Sequence, residues 1–254
     1  MEAVELGVLM MAICLTGTLV YSRDSPFRRF SLSATESGFL MGVMVAAATW
    51  LIICSRFGRR TGAHLNPAIT VAYLWLGRIP RWDAISYVVA QFTGALAGVF
   101  LAFKLLGHEL SAAPVRYVVT LPGHYGRAVA FAAEFVLSGV MMGVVLFATN
   151  HRRLTRFSPF FVALLTVFYY GLCWTISGFS VNPARSFSSA FFAWVWQGIW
   201  IYFAAPCLGT VAAAALYVRS MGPNKVYCAK VFHDLETTCP FPCRFKELFA
   251  DEEK

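Results

Sequence analysis

Gly62-Ala63-His64-Leu65-Asn66-Pro67-Ala68-Ile69-Thr70 and Ser177-Gly178-Phe179-Ser180-Val181-Asn182-Pro183-Ala184-Arg185-Ser186-Phe187 share the tripeptide Asn-Pro-Ala, and the pair decides the fold. Each copy reads as a helix start. Asn suits the N-cap, and Pro suits the first helical position, where its missing N–H costs nothing. The apolar runs that follow are short: Ala68 to Leu76, and Arg185 to about Trp194. At a rise of about 1.5 Å per residue, neither crosses a hydrocarbon core about 30 Å thick. Both are expected to be half-helices whose N-termini stop inside a membrane.

The rest of the chain supplies that membrane context. Its 254 residues are 58% hydrophobic and only 13% charged, against about 25% charged in soluble domains. Six full spans are expected, at about Glu5–Tyr21, Gly38–Cys54, Trp82–Leu106, Ala128–Thr149, Pro159–Ile176 and Trp196–Val218. No basic segment precedes the first apolar run, so the first span is expected to stay in the protein. The net charge of +8 comes without a Lys/Arg-rich arm interleaved with aromatics. It therefore reads as a topology signal and not as a nucleic-acid surface.

Three landmarks recur in order. Ala3-Val4-Glu5-Leu6 resembles Ala132-Ala133-Glu134-Phe135, and Ala90-Gln91-Phe92-Thr93-Gly94 resembles Ala205-Pro206-Cys207-Leu208-Gly209; the Asn-Pro-Ala copies lie between. The expected fold is all-α, with six transmembrane helices and two re-entrant half-helices in an inverted repeat. The repeats run about 1–106 and 128–218. Residues 1–218 form the transmembrane domain, and 219–254 a Cys-containing tail. Each repeat has an odd number of spans, so the second is inverted. Broken helices at matching places of inverted repeats put a permeation or binding site at the midplane. Lys and Arg set the orientation: with both termini in the cytoplasm, fourteen lie inside and six outside, as the positive-inside rule requires. The cell membrane, crossed many times, is the expected location.

The chemistry follows from few residues. Two half-helices meeting N-terminus to N-terminus bring two positive dipole ends together, each worth roughly half an elementary charge. Asn66 and Asn182 cap those ends and offer amide donors there, while Pro67 and Pro183 fix the helix starts. Arg185 is the only Arg or Lys deep in an apolar segment, and a cation at that depth is by default functional. His64 is expected to line the cytoplasmic vestibule. Glu5 and Glu134 occupy matching places near span starts and read as structural acids that hold the half-helix loops. Gly94 and Gly98, and Gly209 and Ala213, are small-xxx-small pairs suited to close helix crossing.

The tail carries Cys228, His233, Cys239 and Cys243 in the pattern Cys-x4-His-x5-Cys-x3-Cys. Three thiolates and an imidazole suit tetrahedral zinc. An iron–sulfur cluster, a disulfide and four unlinked residues are the alternatives.

With these residues the chain resembles the aquaporins, or major intrinsic proteins, over about Val4 to Val218. The matching motifs are the two copies of Ser/Thr-Gly-x-x-x-Asn-Pro-Ala, Gly-Ala-His-Leu-Asn-Pro-Ala-Ile-Thr in the first, and Asn-Pro-Ala-Arg-Ser-Phe in the second. The resemblance implies a homotetramer with one pore per subunit. It also implies passive passage of water or small neutral solutes, with no catalysis and no cofactor needed for transport. The central constriction would comprise Asn66, Pro67, Ala68, Asn182, Pro183 and Ala184. The matching selectivity constriction would comprise Ala46, Tyr170, Phe179 and Arg185. That ring departs from both common patterns: Ala46 stands where water-selective members have an aromatic, Tyr170 where they have His. Phe179 matches the glycerol-conducting members, but Ser186 stands where those often have Asp. Water is the expected permeant. A glycerol-type facilitator is the same-class alternative, and an ion- or proton-coupled transporter the different-class one.

Overall fold

A computed structural model describes residues 1–234 and 236–252. Eleven α-helices follow one another among the described residues: α1 (Glu2–Tyr21), α2 (Ala34–Cys54), α3 (Arg56–Thr61), α4 (Pro67–Trp75), α5 (Arg81–Leu106), α6 (His108–Ser111), α7 (Gly126–Thr149), α8 (Ser158–Leu172), α9 (Trp174–Ser177), α10 (Pro183–Ala193) and α11 (Ile201–Met221). No strand occurs among the described residues. The half-helices are α4 and α10, each with Asn at the cap and Pro in the first turn.

Among the described residues, five helices are long and apolar enough to cross a membrane: α1, α2, α5, α7 and α11. The predicted span Pro159–Ile176 is instead a 15-residue helix, α8, and the four-residue α9 after a break at Cys173. Other boundaries shift by a few residues. α1 begins at Glu2, because the capless start still closes a first turn onto the Met1 carbonyl. α11 begins at Ile201, later than Trp196, because Trp194 enters the left-handed region (φ 53°) and a turn over 196–200 intervenes. α2 starts earlier than expected, at Ala34, where Ser33 and Glu36 form a capping box.

The packing repeats across the two halves. α1 packs on α5 and α7 on α11, while α2 and α8 meet across the repeats. Each half-helix leans on the other repeat's last long helix, α4 on α11 and α10 on α5. Glycine permits the closest crossings. A Cβ on Gly94 would lie 2.0 Å from the Ala3 carbonyl oxygen, and one on Gly209 would lie 2.2 Å from that of Phe135. No side chain fits there, so the small-residue reading of both pairs becomes a contact between backbones. Thr210 adds a hydroxyl bond from α11 to the Ala68 carbonyl of α4, at 3.0 Å.

Candidate functional site

The caps and the cross-ties are made by the same two side chains. Asn66 Oδ1 accepts from the N–H of Ala68 at 2.9 Å, and Asn182 Oδ1 accepts from Ala184 at 3.1 Å and Arg185 at 3.3 Å. Asn66 Nδ2 then donates across the repeat boundary to the Val181 carbonyl, and Asn182 Nδ2 to the Leu65 carbonyl, both at 2.7 Å. These acceptors are aimed by unusual backbone. Leu65 and Val181 hold φ of 54° and 50°, and Ala63 and Phe179 hold 51° and 41°. Left-handed φ is costly for such residues, the β-branched Val181 most of all. A carboxamide nitrogen carries two protons. One is used in the tie, and both asparagines still line the lumen.

The strained loops are held by buried carboxylates. Glu134 accepts from the N–H groups of Ser180 (2.9 Å) and Val181 (2.6 Å) and from the Ser177 hydroxyl (2.7 Å). In the first repeat the same work falls to Glu2, and not to Glu5 as the sequence alignment suggested. Glu2 accepts from His64 N–H (2.9 Å), Leu65 N–H (3.0 Å) and Gln91 Nε2 (2.8 Å). The glycine contacts give the same register, since Gly94 meets Ala3 and Gly209 meets Phe135. Glu5, one turn further on, takes only the Thr61 hydroxyl, at 2.9 and 3.0 Å. The ungapped match of Ala3-Val4-Glu5-Leu6 to Ala132-Ala133-Glu134-Phe135 was therefore three residues out of register. The spacing Glu-x4-Gly, present at Glu2/Gly7 and at Glu134/Gly139, carries the correct one. Gln91 and Thr61 were also missed, because isolated polar residues in apolar runs show no partner in a sequence.

A lumen of about 110 Å³ lies inside the subunit, several times the space one water needs. Its wall is largely aliphatic, with Leu9, Ile13, Val45, Ile69, Val145 and Val162 among its residues; Thr49, Thr166, Asn66 and Asn182 add polar points. Tyr170 and Arg185 line both this lumen and the vestibule beyond it, so they form the neck between the two. Phe179 stands edge-on to Tyr170, with centroids 4.7 Å apart and planes at 85°. One guanidinium nitrogen of buried Arg185, Nη1, has no hydrogen-bond partner among the described residues. Ser186 fixes the start of α10 from behind through Thr120 (2.7 Å) and Ser180.

Two groups of expected constriction residues do not reach the lumen. Ala46 is buried but lines neither the lumen nor the vestibule; its neighbour Val45 and, one turn on, Thr49 form that wall. A helix turns about 100° per residue, so a one-position difference moves a side chain off a narrow face. Pro67, Ala68, Pro183 and Ala184 are buried behind the asparagines and shape the helix starts without facing the lumen.

His64 lines the lumen at the end opposite Arg185. Nδ1 lies 3.0 Å from the Thr70 hydroxyl, and Nε2 lies 2.6 Å from the carbonyl of Ala229, in the tail. The carbonyl can only accept, so Nε2 carries the proton in that bond. The ring stacks on Tyr73 at 5.1 Å and on tail residue Phe241 at 5.8 Å. The tail thus folds back across this mouth, a placement no local pattern indicated.

The four tail ligand candidates converge. Their ligand atoms all lie within 4.8 Å of one another, Cys228 Sγ 3.4 Å from Cys239 Sγ and His233 Nε2 3.1 Å from Cys243 Sγ. Tetrahedral zinc with Zn–S bonds of about 2.3 Å holds sulfurs about 3.8 Å apart, so the quartet has the size of such a site. The His233 ring stacks on Phe245 at 4.1 Å, and Phe245 N–H points at Cys243 Sγ. Hydrogen bonding to Cys228 pulls the Cys239 thiol below its ordinary value and pushes Cys228 up, which favours a thiolate on Cys239, the form that ligates.

Comparison with known proteins fits this geometry. The family model "Major intrinsic protein" matches residues 3–217. Aquaporin Z of Bradyrhizobium diazoefficiens is 29% identical over 223 residues, covering 85% of this chain and 90% of its own length. Aquaporin A of Dictyostelium discoideum is 30% identical over 194 residues, covering 72% of this chain and 65% of its own length. The solved aquaglyceroporin of Plasmodium falciparum superposes with a TM-score of 0.68 at 20% identity over 88% of this chain and 96% of that one, a likeness of fold. The chain belongs to the major intrinsic protein family, and it is a multi-pass membrane protein with a passive channel for water and small solutes.

Proposed function

We propose that the channel conducts water first, admits small neutral solutes such as glycerol more slowly, and excludes protons and ions. One observation carries this reading: two helix N-termini meet at Asn66 and Asn182, midway along an aliphatic lumen necked by Tyr170 and Arg185. An aliphatic wall cannot replace the hydration shell of an ion. At the midpoint, the asparagines' remaining amide protons and the two positive helix ends favour a water that accepts and disfavour hydronium. Arg185 adds a full positive charge at the neck. Tyr170 and Phe179 supply the apolar walls against which it orients a passing molecule.

The subunit acts without catalysis, and transport needs no cofactor. Its assembly is a homotetramer in the cell membrane, as the family resemblance implies, and both termini lie in the cytoplasm, an orientation the Lys/Arg bias supports. Cys228, His233, Cys239 and Cys243 bind zinc, supported by their convergence. The deciding measurement is stopped-flow swelling of proteoliposomes under water and glycerol gradients, with a pH dye inside. Water flux above that of empty liposomes with no proton flux is expected. Rapid proton flux would sink the reading, and glycerol flux without water flux would replace it with the facilitator.

A further inference from the structure

We propose that the tail is a metal-stapled plug: a zinc-class divalent cation held by Cys228, His233, Cys239 and Cys243 keeps 229–231 seated in the His64 mouth, and its loss opens the channel. This rests on the channel reading above. Three observations carry it. First, the tail reaches the lumen. Val231 is a tail residue, yet it lines the lumen and is only 4% exposed, with Ala229 and Lys230 at 0% and 1%. Second, the seat is specific. Val231 N–H donates to the Gly62 carbonyl at 2.8 Å, the Ser158 hydroxyl donates to the Val231 carbonyl, and His64 Nε2–H donates to Ala229. These contacts join the tail to the first half-helix loop and to α8, on two sides of the mouth. Third, the quartet brackets the plug. Cys228 immediately precedes Ala229, and His233 follows Val231 by two residues. The returning limb, Cys239 to Cys243, carries Phe241, which stacks on the His64 ring. Both limbs of the knot therefore press a side chain on the same mouth.

The physical logic is one of chain entropy. A short irregular segment seated at the mouth competes with its own conformational freedom. One ion joining both limbs removes most of that freedom beforehand. The ligands bind as thiolates and release their protons to solvent, and they take them up again when the ion leaves.

The test uses the full-length protein, purified with its metal content measured and reconstituted in liposomes. Osmotic water flux is read before and after treatment with a membrane-permeant zinc chelator, and after zinc is added back. A Val231→Cys variant, labelled with a maleimide and read at position 231 by peptide mass spectrometry, reports whether the seat has opened. Close to one zinc per chain is expected, with chelation raising water flux several-fold, exposing position 231 to label, and zinc reversing both. Cys239→Ser should behave as the chelated protein does, and Val231→Gly should conduct more with zinc still bound. A protein that binds no zinc overturns the staple, and opening by a reductant instead of the chelator replaces the metal with a disulfide. Equal, measurable flux with the seat closed and open overturns the plug alone. No flux in either state overturns the channel reading itself, and the plug with it.

Discussion

At the half-helix loop of the first repeat, Glu2 takes the N–H groups of His64 and Leu65; at that of the second, Glu134 takes those of Ser180 and Val181. The two loops share their left-handed positions and exchange their asparagine ties. They differ in what lies beyond. The second loop ends in Phe179 and Arg185, which with Tyr170 make a neck open to a vestibule. The first ends in His64, whose ring is held by Ala229 and Phe241 of the tail. The inverted repeat therefore builds a symmetric centre and leaves each mouth free to specialise. The Tyr170–Arg185 neck lies at one end, and the chain's own tail packs against the other.

The comparison breaks most visibly at the carboxylates. Glu2→Ala and Glu134→Ala each leave two buried backbone N–H groups unpaired, at about 1–3 kcal/mol apiece, so each is expected to cost about 2–6 kcal/mol. Thermal unfolding of the purified protein in detergent reads the loss. Glu5→Ala removes one hydroxyl bond and is expected to cost about 1 kcal/mol. A Glu5→Ala protein as unstable as Glu2→Ala would show the repeats to be paired in the other register.

Smaller effects come from the helix crossings. Gly94→Ala and Gly209→Ala insert a methyl against a backbone carbonyl at matching sites, at about 1–3 kcal/mol each by overpacking. The same unfolding assay should rank them together; a tolerated Gly209→Ala beside a damaging Gly94→Ala would mean that only one crossing is rigid.

At the neck, Arg185→Ala removes a buried charge that repels cations. Proton leak, followed with an entrapped pH dye, is expected to rise about tenfold, or about 1.4 kcal/mol of barrier. An unchanged leak would assign all proton exclusion to the midpoint. The smallest change is Tyr170→Phe, which keeps the ring face and deletes a hydroxyl. Water flux should change by less than about threefold, or about 0.6 kcal/mol. A larger drop would make the hydroxyl a partner of the permeating water.

Much of this was written in local sequence. Asn-Pro at a helix start is legible because capping and the proline ring act within a few residues, and α4 and α10 begin where those rules put them. Arg185 stood out because a cation in an apolar run has few explanations. The four tail residues Cys228, His233, Cys239 and Cys243 likewise stood out as candidates by residue type, though not their meeting point. The register of Glu2 with Glu134, the choice of Val45 over Ala46, and the break of α8 at Cys173 were not legible. Each depends on which face or turn meets a partner far along the chain, and local patterns carry no record of that pairing.

The sequence by itself determined the membrane, the two half-helices, their inversion and the charge at the neck, since hydropathy, capping and desolvation are properties of short segments. Tertiary structure alone decided which carboxylates hold the loops, which faces line the lumen, and that Val231 of the tail is among the residues that do so. Those choices are settled by long-range packing, where a shift of one residue turns a helix face by about 100° and exchanges one set of partners for another.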